Sequence, residues 1–366
     1  MISSSTQPTI GVAIVGTGFG QKVHIPGFRA HPRTQIVAVY HRDRAKAEAI
    51  AQQYQIPHAC QTIEDIVLLP DVQGVSLSTP PFLHYEQAKV VLKAGKHLLL
   101  EKPTTLCARE ALELQELAAA NGAIVNLNFE FRCIPTWLRL AELLAEGYVG
   151  KPRLIKVDWL VSSRADASRP WNWYAQKDQG GGALGAIGSH AFDYITWLFG
   201  SVKQLSARLS VSVPERPDLV SGQLKPVDAD DLCMMLLELA DGTPCQLCLS
   251  AATYQGRGHW VEVYGDRGTL VLGSSNQKDY VHGFKLWGSH EGEPLKELDI
   301  PNHLEFSETF QDGRIAPFMR IIDRWVVGID TGTAIAPSLQ DGVYSQQLMD
   351  LAQESNRTGQ WVVVDP

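Results

Sequence analysis

The stretch Ile10–Pro26, IGVAIVGTGFGQKVHIP, constrains this chain more than any other part of it. Val12–Val15 is a short apolar run rich in β-branched residues, the mark of a buried parallel strand rather than a helix. Gly16, Gly18 and Gly20 follow at once, and the apolar spacing then turns helical. Strand, glycine turn and helix together form the setting in which glycines hold phosphate. Gly16 permits the tight turn, and Gly18 lets the backbone approach a pyrophosphate at the helix N-terminus. Thr17 and Phe19 fill the turn. The pattern departs from GxGxxG at its third glycine, where Gln21 stands.

Strand and helix patterns alternate through the first third, as βαβ units require. Gln35–Tyr40 reads as the second strand and Asp43–Tyr54 as a helix. Val72–Ser78 is a further strand, closed by Thr79-Pro80-Pro81. Tyr85–Ala94 is a helix stopped by Gly95, and His97–Leu100 is a strand ending in Glu101-Lys102-Pro103. Ala108–Asn121 (helix) and Ile124–Phe129 (strand) complete the run. Ligands of such sheets bind at the carboxyl ends of the strands.

With 366 residues the chain exceeds one ordinary domain. The reading is a doubly wound domain over 8–130 and a second domain over 131–366. Residues 1–9 are polar, without a basic start or apolar core, and read as a tail rather than a signal segment. A net charge of −8 argues against nucleic acid and anionic membrane as partners. No apolar run approaches the roughly 20 residues of a membrane helix. The six cysteines are scattered; Cys245 and Cys248 make one CxxC inside strand-like text, with no second pair to complete a zinc site. No metal is expected, the thiols are expected to be reduced, and the expected compartment is cytoplasmic.

The end of the second strand bears on cofactor choice. A site for NAD usually carries Asp or Glu there, accepting from the ribose hydroxyls. Here the tip reads His41-Arg42-Asp43-Arg44. Arg42 suits a 2′-phosphate, by bidentate pairing and by stacking on adenine. NADP is therefore favoured, with NAD the alternative, and Asp43 is the residue that speaks for it.

By Glu101-Lys102-Pro103 the chain resembles the glucose–fructose oxidoreductase/inositol dehydrogenase family (Gfo/Idh/MocA). The matching stretches are AIVGTGFGQKVHIP, STPPFLHYEQAKVVLKAGKHLLLEKP, NFEFRCIP, GGGALGAIGSHAFDYITWLFG and PSLQDGVYSQQLMDLAQES, in the family's order along nearly the whole chain. The resemblance implies a nicotinamide-binding N-terminal domain and a C-terminal domain built on a large, open, mostly antiparallel sheet. It implies hydride transfer to or from sugars, polyols or related hydroxyl and carbonyl compounds. It also places Lys102 near the reacting oxygen and gives His190 the proton. An ammonium stabilises alkoxide character, and an imidazole exchanges protons near neutral pH. Thr79, Pro80, Pro81 and His84 are expected to wall the nicotinamide, with Glu101 and Lys102 alongside and His41 beside the ribose.

One departure stands out. Many members carry Asp four residues before the histidine, and here that position is Ala186. Asp193 is the candidate replacement for orienting His190, or else a capping or solvated carboxylate.

From Pro152 onward the pattern becomes strand after strand: Leu154–Val161, Gln204–Val213, Asp231–Leu239, Pro244–Ala251, Trp260–Tyr264 and Thr269–Leu272, with Ser189–Phe199 as the interrupting helix. Such a sheet has a face left to cover, so a homodimer or homotetramer is expected. Trp171 and Trp173 suit the apolar faces of a sugar ring, while Arg132, Arg164 and Asn172 suit its oxygens. The alternative for the tryptophans is that they pin a loop. Two other functions stay open: a non-catalytic cofactor-binding sensor of this fold, which Ala186 favours, and a redox-assisted glycosidase.

Overall fold

The structure is a computed structural model that describes residues 8–276 and 281–365. The polar N-terminal stretch lies outside those residues up to position 7. The chain separates into two compact units, one running through Glu130 and including Glu308–Val343, the other comprising Phe131–Ser307 and Tyr344–Pro366.

The first unit is built on a parallel sheet of β1 (Ile10–Val15), β2 (Thr34–Tyr40), β3 (His58–Cys60), β4 (Gly74–Leu77), β5 (His97–Leu100) and β6 (Val125–Leu127). Their order is β3-β2-β1-β4-β5-β6, so the order reverses between β1 and β4. That reversal opens a crevice at the carboxyl ends, directly over the glycine turn. All six residues of β1 are buried, as the uninterrupted apolar run requires of a strand covered on both faces. The short strand β3 and the helix Ile63–Val67 were not anticipated from the sequence, being too brief to show a period.

Residues 131–366 do not form one continuous unit. Glu308–Val343 groups with the first unit, and its helix Ile315–Thr331 explains why. Phe318 and Trp325 of that helix are fully buried and meet the ring of Phe28 edge-on at 5.6 and 5.9 Å. Gly27 leaves the room, since a β-carbon there would stand 2.7 Å from the Phe318 ring. Burial of aromatic surface of this size outweighs sequence adjacency.

The second unit carries β7 (Pro152–Leu160), β8 (Val202–Ser210), the hairpin β9 (Glu215–Pro217) and β10 (Leu224–Pro226), β11 (Leu232–Leu239), β12 (Pro244–Ser250), β13 (Gly258–Gly265), β14 (Gly268–Ser274), β15 (Lys285–His290), β16 (Lys296–Glu297) and β17 (Val362–Val363). Nine of them form one sheet in the order β16-β15-β14-β13-β7-β12-β11-β8-β17. Only β7 and β12 pair in parallel; every other neighbour is antiparallel. One face packs Val157, Leu237, Leu247 and Val261 against Trp137, Phe192, Tyr194 and Leu348. Alternation along β11 turns Met234 and Leu236 to the other face, where each is 53% exposed. The same alternation sends Cys245 and Cys248 to opposite faces of β12, so that pair cannot share a metal ion. Cys245 is buried, which pushes its thiol up to about 12.

Candidate functional site

The glycine turn leaves β1 at Gly16, whose φ of +110° is left-handed backbone suited to glycine. A β-carbon at Gly16 would meet the main chain and hydroxyl of Ser78 at 2.5–2.6 Å, and one at Gly20 would meet the same hydroxyl at 2.5 Å. Ser78 Oγ donates to the Val15 carbonyl at 3.2 Å, locking the turn onto the end of β4. Gly18 differs, because a β-carbon there would meet nothing within 4 Å. Gly16 and Gly20 are thus glycines for packing, and Gly18 is glycine where the fold itself leaves space. The residues fit a bound pyrophosphate. The helix that follows begins with a π-turn over Gly20–His24, closed by Ile25 N–H donating to the Gly20 carbonyl. Thr17 and Phe19 are half-buried, and the Arg314 guanidinium lies 5.1 Å over the Phe19 ring.

At the end of β2, Asp43 is the N-cap of the helix Arg44–Tyr54, accepting from the backbone N–H of Ala45 and Lys46. Its carboxylate is thereby committed to the helix. His41 is tied locally, with its Nδ1 accepting from Asp43 N–H at 2.9 Å. Arg42 is exposed and has no hydrogen bond or ion pair to the described residues.

The segment 79–81 follows β4 as expected, with Thr79 Oγ1 donating to Gln87 at 2.7 Å and Pro81 opening a short turn into the helix His84–Lys93. His84 is fully buried, its Nε2 2.8 Å from the Thr79 carbonyl and its Nδ1 2.9 Å from the Pro103 carbonyl. Both ring nitrogens therefore face main chain, and His84 braces the loop after β4 against the loop after β5. Burial draws its pKa below the usual histidine range.

Glu101 points inward. Its Oε1 accepts from Asn128 Nδ2 at 2.6 Å and lies 3.0 Å from His24 Nε2, while Oε2 accepts from Lys102 N–H at 3.3 Å. His24 Nδ1 lies 2.7 Å from Ser76 Oγ, and its ring stacks on Phe318 at 4.2 Å. Burial alone would raise the Glu101 carboxyl, but the hydrogen bond and charge of His24, the charge of Lys102 and the Asn128 amide outweigh it and hold the group below the usual range. Lys102 is half-buried; burial lowers its pKa, and the carboxylates Glu101 and Glu130 oppose that shift. Glu101 is thus a buried counter-charge beside Lys102 rather than an outward ligand. His24 was not anticipated as part of this network. Its signal was a lone histidine between Val23 and Ile25 in the helix after the glycines, which reads equally well as a core residue.

In the second unit, His190 sits in the first turn of the helix Ser189–Phe199 and is 4% exposed. The ring meets Phe131 edge-on at 4.9 Å and lies 6.1 Å from Trp159. Its helix also opens with a π-turn, Leu184–Gly188, which contains Ala186. Asp230 fixes that start, its carbonyl accepting from Ala183 N–H at 2.7 Å and its carboxylate from Leu184 N–H at 2.8 Å. Asp193 takes a bidentate pair of hydrogen bonds from Arg132, Nε to Oδ2 at 3.0 Å and Nη2 to Oδ1 at 2.6 Å. The structure thus joins two residues to which the sequence reading gave separate roles.

Trp171 donates from Nε1 to the Pro226 carbonyl at 3.0 Å, and Lys225 lies 4.4 Å over its ring, so it pins the loop to the β9–β10 hairpin. Asn172 caps the turn Trp173–Ala175 by accepting from Tyr174 N–H, and Trp173 lies edge-on to Tyr174 at 5.7 Å. Arg164 lies 3.9 Å over the Tyr174 ring and hydrogen-bonds to that side chain, while no carboxylate or carbonyl among the described residues accepts from its guanidinium.

Comparison with known proteins bears on the chemistry. Residues 10–129 match the NAD-binding Rossmann fold of an oxidoreductase family named GFO_IDH_MocA, and residues 141–364 match the C-terminal alpha/beta domain of the same family. The chain is 50% identical to the uncharacterized oxidoreductase sll0816 of Synechocystis sp. over 358 residues, covering 98% of this chain and 96% of that one. It is 26% identical to levoglucosan dehydrogenase of Pseudarthrobacter phenanthrenivorans over 396 residues, with 97% and 98% covered. A solved levoglucosan dehydrogenase in complex with NADH and L-sorbose superposes with a TM-score of 0.86 at 22% identity, over 98% of this chain and 99% of that one.

Proposed function

The chain belongs to the Gfo/Idh/MocA family of oxidoreductases, and on that premise we propose that it is an NADP-preferring dehydrogenase or reductase of sugars, polyols or related compounds. The observation that carries this reading is the glycine turn, where Gly16 and Gly20 are packed against Ser78 while Gly18 opens to space. In this reading Gly16–Gly20 hold the pyrophosphate and Arg42 the 2′-phosphate, with Thr79–Pro81 against the nicotinamide. The bound nicotinamide supplies the hydride donor or acceptor. Lys102, whose charge the Glu101 and Glu130 carboxylates favour against the effect of burial, stabilises developing charge on the substrate oxygen. Glu101 is in turn held ionised by His24 and Asn128, which makes these two positioning residues. His190 exchanges the proton. Carbohydrate substrates are supported by the levoglucosan dehydrogenase that this chain resembles.

The exposed apolar residues of the open sheet face, Met234 and Leu236 with Leu154 and Tyr264, support a second copy as their cover. The test of function is cofactor binding by fluorescence, followed by a panel of sugars and polyols scored by NADPH absorbance. Tight cofactor binding with turnover of a panel member is the expected result; no cofactor binding at any pH overturns it.

A further inference from the structure

One property of the substrate is written in the second unit, and its assignment rests on the dehydrogenase reading above. Three guanidinium groups crowd the loop after β7. Arg216, 5% exposed, donates from Nη1 to the Asp166 carbonyl at 2.7 Å and from Nη2 to the Arg164 carbonyl at 2.5 Å. Arg169 donates to the Ser163 carbonyl. Both side chains are spent on the main chain of residues 163–166. Arg164 is different. It is half-buried and stacked on Tyr174, yet among the described residues no carboxylate or carbonyl accepts from its guanidinium and it forms no ion pair. Burial lowers its pKa and the like charges of Arg169 and Arg216 add to that; the Tyr174 side chain opposes the shift without reversing it, and Tyr174 is no anion. A cation partly removed from water ordinarily has an anionic partner, because desolvation otherwise goes uncompensated.

Its position connects it to the proposed chemistry. Arg164 N–H donates to the Ala251 carbonyl at 2.7 Å, just past the end of β12, so the residue is anchored at the carboxyl ends of β7 and β12. Trp159, near the end of β7, faces the His190 ring at 6.1 Å. The Tyr174 carbonyl accepts from Gly182 N–H at 3.1 Å, immediately ahead of the π-turn that leads to His190. Arg164 and His190 are thus held at one end of one sheet by rigid main-chain bonds.

We infer that Arg164 receives an anionic group of the substrate, a carboxylate or a phosphate, so that the substrate is an acidic or phosphorylated sugar or polyol rather than a neutral one. A guanidinium presents a planar fork of donors that matches either group.

The experiment is calorimetric titration of the NADPH-loaded protein with D-glucose, D-gluconate, D-glucose 6-phosphate and inorganic phosphate, paired with NADP reduction assays on the three organic compounds. Gluconate or glucose 6-phosphate is expected to bind at least about tenfold more tightly than glucose. Arg164→Gln should weaken that binding by about 10- to 100-fold, the range for lost charge-assisted hydrogen bonds, with cofactor affinity unchanged. Arg164→Lys keeps the charge without the fork and should fall between; it carries the test if the Gln variant loses cofactor binding and so has not folded. Equal binding of glucose, or an anion affinity indifferent to both substitutions, overturns the inference. Inorganic phosphate binding as well as either sugar anion overturns the substrate assignment too. Anion binding without cofactor reduction supports this inference while sinking the dehydrogenase reading. Turnover of neutral glucose alone does the reverse.

Discussion

Arg132 grips Asp193 through two hydrogen bonds of 3.0 and 2.6 Å, with the two side chains 6% and 1% exposed. Removing one charge of such a pair leaves the other desolvated, at a cost of about 3–5 kcal/mol. Asp193→Asn should therefore lower stability by an amount of that order in urea unfolding. If stability holds while turnover of an identified substrate collapses, Asp193 is a proton relay for His190 rather than an anchor for Arg132.

Cofactor preference should reside in Arg42, since the Asp43 carboxylate is occupied in capping its helix. NADPH is expected to bind more tightly than NADH, and Arg42→Ala should remove about 1.5–3 kcal/mol of that difference, the worth of a charge-assisted hydrogen bond. Equal affinities in the unmodified protein, measured by cofactor fluorescence, would sink the assignment.

His190→Ala should lower turnover by about 10²–10⁴, the range for lost acid–base catalysis, and leave cofactor affinity unchanged. Lys102→Ala should lower turnover and weaken cofactor binding together. Full activity in the His190 variant would move the proton step to another group.

A pH dependence follows from His259, buried against Trp159 at 4.0 Å and bonded to the Tyr194 hydroxyl at 3.0 Å. Burial lowers its pKa to about 3 in the folded protein. The unfolded chain takes up this proton near pH 6.5, about as a free histidine does, so the group's contribution is intact above that pH and lost as pH falls toward 3. Between pH 6.5 and 5 the loss is about 2 kcal/mol from this residue. Urea unfolding at both pH values should show it, and His259→Gln should flatten that part of the slope; an unchanged slope in the variant refutes the attribution.

Covering Met234, Leu236, Leu154 and Tyr264 by a second copy predicts a dimer or tetramer. Sedimentation velocity at micromolar concentration checks this, and Leu236→Glu should shift the protein toward monomer. A monomeric unmodified protein would refute it.

The sequence by itself determined the features that depend on neighbours along the chain. The run Val12–Val15 with its glycines fixed strand and turn, because an apolar run and left-handed backbone are local requirements. The strand-like runs Asp231–Leu239 and Pro244–Ala251 were legible for the same reason, whereas the placing of Cys245 and Cys248 on opposite faces of β12 came from the structure. What tertiary structure decided were the partners of buried charges. His24 reaches Glu101 across 77 residues of sequence, and Arg132 reaches Asp193 across 61. No periodicity encodes such a pairing, since a buried charge takes whichever complementary group the packed elements bring within reach. The same holds for Glu308–Val343, where only the packed structure shows which core buries Phe318 and Trp325.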